Sequence, residues 1–412
     1  ALLALINDIL DFSKIESGKM ELEETPYDIT TLVEGQADIL MAKAKEKGIS
    51  LVTFVDPTLP PQVTGDAGRL GQVLLNFVGN AIKFTMKGGV TVYALPKRSD
   101  VLRFEIHDTG IGISETNLIK LFQPFVQADA SIAGKFGGTG LGLSISKRLI
   151  EMMGGSVGAT SILGAGSIFW AEVPMNSRKR LRLIVDEDSP LLNMRTLIVD
   201  DDFLLTQVLE RYLKAWGMIP TIKTRQSAWE IDTPYNMYDL IILAGPDAEA
   251  ASTYREIIHA AGDRAPKGMY LASFAANIQE KLLYDAGISG IIRKPVKHKT
   301  LRNALEASIT GTFRRPDEAI QGAIIDQQDL TEKIRVLIAD DNQVNQMVAR
   351  SILNSLGYSA TVVASGREAL TLIEQMNFDI IFMDCQMPDI DGYEATAKIR
   401  ASNHDEIGRA HV

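Results

Sequence analysis

Three groups of residues could do chemistry on a nucleotide, and all lie in one stretch of this 412-residue sequence. Asn76, Asn80 and Lys83 recur at i, i+4 and i+7 in a run whose apolar positions (Leu70, Val73, Leu74, Phe77, Val78, Ile82) have helical spacing, so they share one helix face. An amide oxygen there can complete the shell of Mg²⁺, a hard octahedral ion that takes few protein ligands beside phosphates. The Lys83 ammonium adds a point charge for phosphate. Asp108 ends an apolar strand-like run from Val101 to Ile106, and its carboxylate can accept a hydrogen bond from an exocyclic amine such as that of adenine. Gly110 and Gly112 let backbone approach a flat base closely. Gly138, Gly140 and Gly142 open a helix (Leu143, Ile145, Leu149, Ile150) whose first N–H groups suit phosphate. Each group alone reads equally as a turn or a cap. Together, in this order and spacing, they point to a nucleotide pocket.

A second chemistry lies near the other end. Asp340 and Asp341 close one apolar run and Asp384 closes another, at the carboxyl ends of strands where doubly wound sheets place their sites. Three converging carboxylates repel one another, so a divalent cation should bind to relieve them. A metal-held carboxylate is also a candidate nucleophile toward a phosphoryl donor, which would give an aspartyl phosphate at Asp384. Met387, Pro388, Asp391 and Gly392 supply a turn just after it. Shifting the chain by 140 residues lays Leu197–Asp201 on Leu337–Asp341, Gly217 on Gly357, and the run from Tyr238 on that from Phe378. In the earlier copy the place of Asp384 is taken by Ala244. Asp200 and Asp201 could still hold a cation weakly there, but a methyl group accepts no phosphate.

These groups need elements to position them. Residues 32–44 read as an amphipathic helix, and 49–55, 89–95, 101–108 and 155–173 as strands, the last with breaks. The consecutive runs around 89–108 predict antiparallel pairing and an α+β layer with helices on one face. The two later copies alternate buried strands with helices, which predicts α/β parallel, doubly wound sheets. Leu2, Leu5, Ile9 and Phe12 have the seam spacing of a paired helix. The boundaries expected are a helix end over 1–19, an α+β domain over 20–175, a linker over 176–193, the earlier copy of the repeat over 194–311, a linker over 312–332 and the last copy over 333–412. The net charge of −10 argues against a generic binder of nucleic acid or anionic membranes. A lone cysteine, Cys385, excludes an internal disulfide framework and fits a reducing compartment. No apolar run approaches the ~18 residues needed to span a bilayer, and no signal peptide is evident.

With these residues in view, the chain resembles a hybrid sensor histidine kinase of the bacterial two-component type with tandem receivers. Asn76 to Thr85 resembles the family's N box, Asp108 to Gly112 its first glycine box, Leu121 to Phe125 its F box, and Gly138 to Gly142 its second. Leu5 to Glu16 is similar to the second dimerisation helix. The resemblance implies a multi-domain protein with a GHKL-type ATP-binding sandwich followed by two receiver-like domains. It implies ATP and Mg²⁺ as cofactors, with Asn76, Asn80, Lys83, Asp108, Gly110, Gly112, Lys135, Gly138, Thr139, Gly140, Leu141 and Gly142 around the nucleotide. It also implies metal at Asn80 and at Asp340, Asp341 and Asp384, the last being the phosphoacceptor.

Residues 127–134 would form a lid, with Lys135 its main cation. Ser273 and Lys294 stand in the middle copy at positions similar to the family's hydroxyl and lysine. None of His107, His259, His298, His404 and His411 has the context of a phosphoacceptor histidine, which is expected upstream of residue 1. The chain therefore reads as truncated at both ends and unable to autophosphorylate alone. The implied partners are a second copy, through the dimerisation helices, and a histidine phosphotransfer protein or response regulator, with no direct nucleic-acid contact. The location the resemblance implies is the cytoplasmic portion of a protein of a family many of whose members are anchored in the inner membrane through upstream segments. Two other readings stay open: a different GHKL-type ATPase, and a non-catalytic signalling scaffold.

Overall fold

The computed structural model describes residues 10, 11, 13–124, 140–177, 189–228, 234–273, 278–311, 335–342, 345–347, 349, 350, 353, 358–376, 378–384 and 387–401. Two compact units result, Ala1–Phe313 and Arg314–Val412. No helix among the described residues is long and apolar enough to cross a membrane.

In the first unit β1 (Thr25–Tyr27) pairs antiparallel with β3 (Val63–Gly65), a small sheet that sequence patterning does not predict. The main elements that follow are α1 (Ile29–Glu46), β2 (Ser50–Val55), α2 (Ala67–Phe84), β4 (Gly89–Arg98), β5 (Val101–Asp108), α3 (Glu115–Leu118), α4 (Gly142–Met152), β6 (Ser156–Ile162) and β7 (Gly166–Pro174). The strands join in the order β2-β4-β5-β7-β6. β4 and β5 are antiparallel, as the sequence predicts, with Val90 opposite Asp108, while β2 runs parallel to β4. Asp28 and Asp66 start α1 and α2 by accepting from the amides of Thr31 and Arg69. The helical stripe of α2 is the heart of the core: Leu70, Val73, Leu74, Phe77, Val78 and Ile82 are all buried against α1, α4 and one sheet face. Asp11, in the segment resembling a dimerisation helix, accepts from Arg69 at 3.2 Å and Gln72 at 2.9 Å on α2.

The same unit contains a second sheet. Its elements are β8 (Arg195–Val199), α5 (Phe203–Ala215), β9 (Ile219–Lys223), α6 (Arg225–Ala228), β10 (Leu240–Ala244), α7 (Asp247–Ala261), β11 (Lys267–Ala272), α8 (Glu280–Asp285), β12 (Ile288–Arg293) and α9 (His298–Thr310). The strands are all parallel in the order β9-β8-β10-β11-β12, the 2-1-3-4-5 winding of a receiver. Alternate residues feed opposite cores, with Leu197 and Val199 on one side and Ile198 on the other.

One of those cores continues into the first sheet. Along β2, Leu51 and Val55 face the helices, but Val52 and Phe54 join Tyr93 of β4 in the core of the second sheet. The Phe54 and Tyr212 rings lie 4.7 Å apart, and Tyr212 stacks on Trp216 at 5.5 Å. The Val55 amide, on an edge strand, donates to Tyr212 Oη at 2.9 Å, which satisfies backbone that would otherwise be exposed. Polar contacts ring this seam. Ser50 Oγ donates to Asp202 Oδ2 at 2.7 Å, the His298 amide donates to Glu34 at 3.0 Å, and Lys297 pairs with Asp38 at 2.6 Å.

The second unit holds β13 (Val336–Ala339), β14 (Ala360–Val363), α10 (Gly366–Gln375), β15 (Ile380–Met383) and α11 (Gly392–Ala401). Its parallel order β14-β13-β15 repeats the first three strands of the receiver winding. β15 falls 140 residues after β10, so the internal repeat read from sequence is a repeat of structure.

Candidate nucleotide and phosphoacceptor sites

Helix α2 bridges the two glycine runs. At its C-terminal end the Phe84 carbonyl accepts from the Ile111 amide at 3.3 Å, holding the loop after Asp108 against the helix. One to two turns earlier, Asn76 Nδ2 donates to Ser146 Oγ on α4 at 2.9 Å, and Asn80 Nδ2 donates to Asn76 Oδ1 at 3.2 Å. These two asparagines therefore share a face, as their spacing predicts. Because Asn80 bonds through its nitrogen, its amide oxygen is left as an acceptor among the described residues, and a hard cation fits that donor type. A Cβ on Gly142 would lie 2.7 Å from Asn76 Oδ1, so a larger residue there would make the Asn76 amide shift. Leu141, the residue before α4, is buried in the core and fixes where that helix starts.

Asp108 sits at the end of β5, where its Oδ1 accepts the amides of Gly110 at 2.8 Å and Ser167 at 3.2 Å. Burial pushes this carboxyl above the ordinary range, and the two amides pull the other way. The result is a recessed acceptor of the kind an exocyclic amine needs. Gly112, with φ +68°, forms the turn beyond it. Lys83 lies beside Phe84, its Nζ 5.0 Å from the ring, and burial, then Lys43, lowers its ammonium pKa. Sequence reasoning missed Lys47, whose Nζ donates to the carbonyls of Ile82 at 2.8 Å and Lys83 at 2.7 Å and so neutralises the C-terminal end of α2. Of the expected nucleotide residues, Asn76, Asn80, Lys83, Asp108, Gly110, Gly112, Gly140, Leu141 and Gly142 are described; Lys135, Gly138, Thr139 and the 127–134 segment lie outside the described residues.

In the second unit the three expected acids meet. Ligand oxygens of Asp340, Asp341 and Asp384 all lie within 4.8 Å of one another at the ends of β13 and β15. Asp340 Oδ1 accepts the Asn342 amide at 2.8 Å, which orients it. Three partly or fully exposed carboxylates at this spacing fit a hard divalent cation.

Of the histidines, His107 bonds Glu105 at 2.8 Å and lies edge-on to Tyr93, a packing role as its strand position predicts. His298 is different, and no motif points to it. Both ring nitrogens are buried without a hydrogen-bond partner among the described residues, between Tyr212 at 5.1 Å and Trp216 at 5.4 Å. Burial, then Arg302 and Lys299, pushes its pKa down to about 4.

A mixed sheet with helices on one face, followed by parallel doubly wound domains ending in acids, defines a GHKL-type nucleotide-binding module joined to receiver modules. Comparison with known proteins agrees. Residues 65–177 match the family described as histidine kinase-, DNA gyrase B- and HSP90-like ATPase, and residues 336–407 match the response regulator receiver domain. The sensor histidine kinase GacS of Pseudomonas protegens is 34% identical over 99% of this chain and 45% of its own length. The signal transduction histidine-protein kinase BarA of Escherichia coli is 31% identical over 98% of this chain and 44% of its own. A crystal structure of full-length ShkA in complex with AMPPNP superposes with a TM-score of 0.66 at 30% identity, covering 97% of this chain and 80% of that one. The chain belongs to the hybrid sensor histidine kinases. It spans less than half the length of the two curated relatives named here.

Proposed function

We propose that this chain is the ATP-binding and receiver portion of a hybrid histidine kinase working in a phosphorelay. The observation that carries the reading is the bridge made by α2, which brings the recessed Asp108 acceptor and the start of α4 onto one helix. In this reading Asp108 and the glycine turn after it receive the adenine, and the N-terminal amides of α4 face the phosphates. The Asn80 amide oxygen would hold Mg²⁺, which supplies charge neutralisation on the phosphates. The γ-phosphoryl passes to a histidine outside this sequence: the bond to the β-phosphate oxygen breaks and a nitrogen–phosphorus bond forms. An Asp384 oxygen then attacks that phosphorus, the nitrogen–phosphorus bond breaks, and an aspartyl phosphate results. Asp340 and Asp341 would hold a divalent cation with Asp384. A histidine phosphotransfer protein or response regulator takes the group onward, and the intact protein works as a dimer.

The test is Mg·ATP binding by the whole chain, measured by calorimetry beside Asp108→Asn. The substitution keeps the shape but replaces a charged acceptor with a donor-bearing amide. It should weaken binding at least about tenfold, given ~1.5–3 kcal/mol for a hydrogen bond to a charged group. A folded native chain that binds no nucleotide would sink the kinase reading and leave the scaffold reading in front.

A further inference from the structure

The two receiver-like copies treat their acid pairs in opposite ways. In the terminal copy Asp340 and Asp341 gather with Asp384. In the middle copy Asp200 follows β8, is buried, and has both oxygens engaged: Oδ1 accepts the Asp202 amide at 3.0 Å and Oδ2 takes Lys294 Nζ at 2.7 Å. Asp201 is engaged twice by one residue, its Oδ1 accepting the Arg225 amide at 3.0 Å and its Oδ2 taking Arg225 Nε at 2.5 Å. Arg225 Nη1 also reaches Glu249 at 3.5 Å. A Cβ built on Gly245 would lie 3.2 Å from that same nitrogen, so the guanidinium lies beside the end of β10, next to Ala244. At the 140-residue offset Arg225 corresponds to Ser365, whose hydroxyl instead accepts the Glu368 amide and starts α10.

The physical consequence is direct. With Glu249, three carboxylates here face two cations, so most of the negative charge is offset within the chain. A divalent ion would have to break the contacts of Asp201 with Arg225 and would then sit within a few ångströms of its guanidinium. The residues present do not fit the metal that the receiver fold implies.

We propose that Arg225 has taken the place of the divalent cation in the middle receiver-like domain, which is thereby closed to metal and to phosphoryl transfer. Loss of the nucleophile at Ala244 is then only part of the change. The acid pair is held in ion pairs within the chain.

Mn²⁺ is the probe, read by electron paramagnetic resonance on the whole chain without nucleotide. Asp340→Asn and Asp341→Asn in the background silence the terminal triad. This background should take up no Mn²⁺ in the millimolar range. Adding Arg225→Ala with Ala244→Asp should open a site at least tenfold tighter than the background, and a further Asp201→Asn should close it. Binding by the background that Asp201→Asn removes would overturn the proposal. So would a folded Arg225→Ala, Ala244→Asp chain that still binds nothing. Should that variant fail to fold, the reciprocal change decides. Ser365→Arg in the otherwise native chain should weaken Mn²⁺ binding at the terminal triad at least tenfold, and unchanged binding there would count against a tethered arginine as the excluding group.

Discussion

Gly112 takes φ +68°, and a Cβ there would lie 2.1 Å from the Ile162 carbonyl oxygen. Both the backbone region and the space demand glycine, independently of any nucleotide. Gly112→Ala should therefore cost stability, about 1–3 kcal/mol, and weaken nucleotide binding because the turn after Asp108 must shift. Urea titration and calorimetry on the same sample check both effects. Equal stability would show that the turn yields easily. Asp108 is the companion case. Its place at a strand end was legible, but its recessed environment was not, because Ser167 comes from β7, 59 residues further along. Lys47 was missed for the same reason: its carbonyl partners lie 35 and 36 residues away on α2.

At the scale of elements, α5 does two jobs. It covers its own sheet and, through Tyr212, the outer face of β2 and β4. Tyr212→Ala should cost about 3–5 kcal/mol as a fully buried aromatic. Tyr212→Phe should cost about 1 kcal/mol, since it removes only the hydroxyl that accepts the Val55 amide. Urea midpoints of the two variants separate packing from hydrogen bonding.

The start of α9 adds a pH dependence. Unfolded, His298 binds a proton below about pH 6.5; folded, it does so only below about 4. The folded state therefore binds fewer protons between those values, and stability falls as pH drops from about 6.5 to about 4, by on the order of 3 kcal/mol. Glu34, Asp28, Lys297, Lys299 and Arg302 face the same seam and supply the background. The difference in stability between the native chain and His298→Phe, followed across that window, isolates the histidine. A difference that does not change with pH would contradict this account.

For the molecule as a whole, the ATPase sheet and the middle receiver sheet share one core, so Ala1–Phe313 should respond as one body. Trp216 lies in that shared core and reports on it. In a chain with Trp170→Phe and Trp229→Phe, saturating Mg·ATP should raise the unfolding midpoint seen by Trp216 fluorescence. At a hundredfold excess over Kd the gain is about 2.7 kcal/mol. A midpoint that ignores nucleotide would mean the two sheets unfold separately.

The sequence alone determined where the candidate residues lie along the elements, the antiparallel pairing of β4 with β5 and the parallel, doubly wound class of the receiver-like sheets. Helical and strand periodicities depend only on local backbone geometry, and the 140-residue repeat is a property of the chain. Thus Asn76 and Asn80 on one face, antiparallel β4 and β5, and Asp340, Asp341 and Asp384 at strand ends were all legible. Tertiary structure alone decided what covers what. The run from Leu51 to Val55 is apolar at nearly every position, the mark of a strand buried on both faces, but nothing in it names Tyr212, more than 150 residues away, as the cover. Arg225 likewise reads as an ordinary surface residue until the fold sets it against Asp201. Periodicity records which side of an element is apolar. Which distant side chain arrives there is fixed by how the layers pack, and that information is spread over the whole chain.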